Sequence, residues 1–67
     1  MKIREWLGEL VESSESTEED GMMMQRFLRA IGFRKAIVTY GVVYPDGDGR
    51  PVSIQSMASI IMEGQKG

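Results

Sequence analysis

The hydrophobic period of the chain changes at Gly32. Before it, apolar residues recur at helical spacing: Ile3, Trp6, Leu7, Leu10 and Val11 in one run, then Met24, Phe27, Leu28 and Ile31 in a second. After it, the β-branched and aromatic stretch 36–44 alternates residue by residue, with Ala36, Val38, Tyr40, Val42 and Tyr44 on one side and Ile37, Thr39 and Val43 on the other. A chain whose period switches from 3.6 to 2 is neither a plain helical bundle nor an all-β sandwich. It reads as α+β, with two N-terminal helices packed on a β-hairpin. There is little room for more than that, because the 67 residues contain no Cys and no His. Neither a disulfide nor a zinc site can hold the fold, so the core rests on apolar burial alone. Leu, Ile, Val and Phe total 16, about a quarter of the chain, which is more than a disordered tail carries. A chain this short buries roughly 60% of its unfolded surface, so a regular core or a second subunit is needed.

Residues 2–12 form the first amphipathic helix, with Glu5, Glu9 and Glu12 opposite the apolar stripe. The polar segment 13–17 is a linker that runs into a helix start. Ser16 with Glu19, or Thr17 with Asp20 one residue on, has capping-box spacing. The second helix then covers 18–31. Gly32 stands where a left-handed residue ends a helix, and Phe33 just beyond it is placed to pack back on Leu28. Met22, Gln25, Arg26 and Arg29 share the outward face. Strand 36–44 follows as one uninterrupted element, and Pro45-Asp46-Gly47-Asp48-Gly49-Arg50-Pro51 supplies the turn. Val52 and Ile54 begin the returning strand. From Gln55 onward the pattern fits either a short C-terminal helix over 56–63 or an extended second strand, and the helix gathers Ile54, Met57, Ala58, Ile60, Ile61 and Met62 into one arc. Residues 65–67 read as a frayed tail of this single domain spanning 1–67.

Composition narrows the function mainly by exclusion. Without Cys or His there is no thiol nucleophile, no thiolate metal site and no imidazole base. Asp46-Gly47-Asp48-Gly49 has the look of the first half of a calcium loop, but Arg50 and Met57 fall where a ligand and a bidentate Glu belong. No Lys-Ser/Thr follows the glycines to make a phosphate loop. No spacing gathers a nucleophile, a base and an anion-stabilising group. The chain is therefore expected to be no enzyme and to bind no metal or cofactor. No stretch resembles a signal peptide or has the length of a membrane span, and a cytoplasmic protein is the default.

Charge is more informative by position than by sum. Residues 1–20 carry a net −5, while 21–36 carry +4 from Arg26, Arg29, Arg34 and Lys35 with no acid among them. These four cations, with Met22 on the same helix face, are the candidate surface for a protein partner or a nucleic acid. Ile37 and Val43, turned away from the helix-covered side of a continuous strand, are the candidate oligomer interface, and a two-stranded sheet leaves edges that a two-fold partner can close. The expectation is a small non-enzymatic interaction, regulatory or assembly module that acts as a homo-oligomer. The alternative is a nucleic-acid-binding protein that uses the basic segment 26–35.

Overall fold

The computed structural model describes residues 3–13 and 15–64, so the expectations for Lys2, Ser14 and the tail 65–67 lie outside the described residues. The elements are α1 (Ile3–Glu12), α2 (Glu18–Ala30), β1 (Ile37–Thr39), β2 (Val42–Tyr44), β3 (Val52–Ser53) and α3 (Ile54–Gly64). The fold is α+β: two N-terminal helices, a hairpin and a C-terminal helix.

Helix α1 forms by burying one stripe, Trp6, Leu7 and Leu10, against α3, whose inward residues are Ile54, Met57, Ala58 and Ile61. An isolated helix of this length is marginal in water, so docking rather than propensity holds it. Helix α2 starts on a complete capping box: the Thr17 hydroxyl accepts from the Asp20 N–H at 3.1 Å, and the Asp20 carboxylate accepts from the Thr17 N–H at 3.0 Å. It ends on the Schellman pattern around Gly32, with the Phe33 N–H donating to the Leu28 carbonyl at 2.9 Å and the Gly32 N–H to that of Arg29 at 3.4 Å. Met24 and Leu28 are its buried residues. Ser53 ends β3 and caps α3, its hydroxyl accepting from the Ser56 N–H at 3.1 Å.

The stretch 36–44 is not one strand. It breaks at Tyr40–Gly41, where φ is 50° and 75°, and folds back as an antiparallel pair with Thr39 opposite Val42. Two consecutive positive φ values are the pattern of the type I′ turn, whose twist matches that of the flanking strands. The alternation of β-forming residues runs straight through the turn and hides it. A two-residue turn also inverts the parity of everything after it. Val38 pairs with Val43 and both face the helices, whereas Ile37 pairs with Tyr44 and faces out. Val43 is fully buried in the core, which corrects its assignment to the outer face beside Ile37. β3 adds a third strand in the order β1-β2-β3, so the loop 45–51 joins β2 to β3 within a three-stranded sheet. In that loop Gly47, at φ 84°, runs so close to the segment leading into β1 that a Cβ there would stand 2.9 Å from the Lys35 carbonyl oxygen. Of the two readings for the C-terminus, the helix holds, beginning two residues early at Ile54.

Side chains of α2 close the outer edge of β1. Gln25 Oε1 accepts the Val38 N–H at 3.0 Å, and Arg29 Nε donates to the Ala36 carbonyl at 3.0 Å. Positions 25 and 29 lie one helical turn apart, so two residues of one stripe reach two outward-pointing backbone groups of the strand. The other edge strand, β3, is two residues long. The expectation of open edges fails at β1 for this reason, and at β3 little edge remains.

Candidate interaction surface

Between the start of α2 and the tip of the β1–β2 hairpin lies an open groove of about 810 Å³. One wall is the linker and first turns of α2, through Glu15, Glu18 and Met22; the other is the hairpin tip, through Val38, Thr39 and Tyr40; Gln55 of α3 also lines it. Three local contacts set its shape. The Gly41 carbonyl accepts from the Ile54 N–H at 2.9 Å, which ties the turn to the start of α3. Ser16 packs against the turn so closely that a Cβ on Gly41 would stand 3.0 Å from its hydroxyl oxygen. Gly21 of α2 faces Val38, whose Cγ1 lies 3.5 Å from where a Cβ would be, an ordinary contact distance.

Tyr40 is 99% exposed on the rim, the most exposed large hydrophobic side chain described. Its φ of 50° is the only positive value at a non-glycine residue among those described. Met22, 65% exposed, lies on the same groove. Arg26, one turn further along the same helix face, and the other three cations of the sequence-derived surface do not line the groove.

A second recess of about 360 Å³ shares Glu15, Ser16 and Thr17 with the groove and adds Trp6, Glu9 and Asp20. Asp20 holds it together. One carboxylate oxygen accepts from the Trp6 indole N–H at 3.1 Å and the other from the Thr17 N–H at 3.0 Å. The Thr17 backbone hydrogen bond, then that from Trp6, hold the Asp20 carboxyl below the usual carboxylate range, with partial desolvation opposing them. With Glu15 and Glu18 beside it, this end of the molecule is acidic and rich in hydroxyls. Among the described residues no three Asp or Glu side chains converge as a metal site, and Met57, at the last ligand position of the calcium-loop spacing, is in the core.

The cations collect at the other end of α2. Arg26, Arg34 and Lys35 are exposed, and Arg29 is committed through Nε to the Ala36 carbonyl. Ile31, 51% exposed, and Phe33 lie among them. Ile37 is exposed on the outer sheet face, where Val42 and Tyr44 are half-covered.

Sequence reasoning passed over Tyr40 by counting it into the alternation. The signal was the Tyr-Gly dipeptide itself, with glycine at the second position of a primed turn. Among the described residues no helix is long and apolar enough to cross a membrane. The chain matches no protein-family model, no curated protein and no solved structure.

Proposed function

We propose that the chain is a small non-enzymatic interaction module that works through protein contacts and assembles with copies of itself, the Tyr40 groove being its contact surface. The observation that carries this reading is the state of Tyr40. A non-glycine residue in the left-handed region costs on the order of 1 kcal/mol, and a ring left in water forgoes the roughly 1.5–3 kcal/mol that burying a large apolar side chain brings. Asn or Gly at this position would make the turn without the strain. A strained residue that buries nothing in its own fold contributes to something outside it, and tyrosine is among the side chains enriched at energetic centres of protein interfaces. Met22 across the groove adds a pliable apolar contact.

Tyr40→Asn keeps a residue that accepts positive φ and removes the ring. Wild-type protein at high micromolar concentration is expected to show a multimeric mass by light scattering, and Tyr40→Asn a monomeric one with an equal or higher melting temperature. A monomeric wild type, or an unchanged mass in the variant, contradicts the reading.

A further inference from the structure

Taking the Tyr40 groove as a contact surface, as proposed above, we infer that its occupant is the Ile31–Lys35 corner of a second copy, so that the chain assembles groove to corner. The two surfaces are complementary in charge and in apolar character. The groove presents Glu15 and Glu18 beneath the exposed Tyr40 and Met22. The corner presents Arg34 and Lys35 beside the exposed Ile31 and Phe33. They stand at opposite ends of α2, whose 13 residues span about 20 Å at 1.5 Å per residue, so one chain cannot close the contact on itself.

Pairings of like surfaces are disfavoured by the same charges. Groove against groove brings Glu15 and Glu18 of both copies together, and corner against corner does the same for Arg34 and Lys35. Like charges facing each other across an interface carry a penalty that opposite charges reverse. Seated in the groove, Arg34 comes within reach of the Tyr40 ring, a pairing that a guanidinium and an aromatic face favour. Two copies that exchange both contacts close as a two-fold dimer; where only one contact forms per pair, it propagates as a ring when the rotation closes and a filament when it does not.

The test uses two full-length variants, each lacking one surface. In the groove variant, Glu18→Lys/Tyr40→Asn, the acid and the ring are lost. In the corner variant, Ile31→Ser/Arg34→Ser/Lys35→Ser, the cations and the apolar contact are lost without adding acid. Both are expected to fold, all five positions being exposed, and circular dichroism checks this. Each variant alone is expected to be monomeric by analytical ultracentrifugation. An equimolar mixture is expected to sediment as a 1:1 heterodimer of twice the monomer mass, because one intact corner meets one intact groove and growth stops there. Two monomers that do not associate on mixing overturn the groove-to-corner contact. A corner variant that still assembles like wild type, beside a monomeric groove variant, also overturns it and leaves the groove as a contact surface for another occupant. Wild-type assembly in both variants, or a monomeric wild type, overturns the groove reading itself.

Discussion

Trp6 and Asp20 are 14 residues apart and belong to different helices, yet the indole N–H donates to the carboxylate that caps α2. Both oxygens of Asp20 accept from donors, so the amide of an Asp20→Asn variant must turn its NH2 toward one of them. That substitution is expected to lower stability by about 1–2 kcal/mol near neutral pH, through the weakened cap and an indole left without its partner. The pH dependence follows from the lowered carboxyl pKa. The ionised form is bound more tightly in the folded state, so its contribution is complete above the ordinary aspartate value near about pH 4, and it is lost as pH falls through the lowered value. Urea titrations of wild type and Asp20→Asn should therefore differ most at neutral pH and converge in acid; a constant gap down to about pH 2 contradicts the assignment. At this scale the sequence was half legible. The Thr17–Asp20 spacing announces a cap because capping is local, whereas the bond to Trp6 depends on how α1 docks and leaves no local trace.

The edge of β1 shows what one helix turn can do for a strand. Gln25 and Arg29 receive an N–H and supply a donor where a neighbouring strand otherwise would. Gln25→Ala removes the acceptor from Val38 at a half-buried position and is expected to cost about 1 kcal/mol, read as a fall in melting temperature of about 4–8 °C for a domain of this size. The Val38 amide should lose hydrogen-exchange protection more than its neighbours in β2, and equal loss throughout the sheet contradicts a local edge role. Both helices were legible at this scale because a 3.6-residue stripe carries over ten residues or more. A hairpin was expected, but its turn at Tyr40–Gly41 was not legible, because Val38 to Tyr44 has β-forming residues on both faces and only the parity of the stretch reveals the reversal. That one additional turn moved Val43 from the surface into the core and Tyr40 from a strand face to an exposed tip.

Along the whole molecule, charge runs from the acidic linker and first turn of α2 to the cations around its end, with the sign that suits the helix dipole at both termini. Part of the basic segment is thus accounted for without a phosphate ligand: Arg29 lies in the last turn of α2 and is bound to a backbone carbonyl. Binding to single- or double-stranded oligonucleotides is expected to be weak at physiological salt by fluorescence anisotropy. Submicromolar affinity that disappears in Arg26→Ala/Arg29→Ala, with fold and mass unchanged, reverses that ranking in favour of nucleic acid. The charge asymmetry itself was fully legible in the sequence. Which surface each sign would share with exposed apolar side chains was not, since it depends on the hairpin tip meeting the start of α2.

The central claim, that the hairpin tip is a contact surface, is tested most directly by backbone amide shifts followed on dilution from about 1 mM to about 20 μM, a range that brackets weak self-association. The account predicts concentration-dependent shifts in two separate groups, Tyr40, Gly41 and Met22 at the groove and Ile31 to Lys35 at the corner, both lost in Tyr40→Asn. Shifts confined to Ile37, Thr39 and Tyr44 on the outer sheet face, or no shifts at any concentration, contradict it.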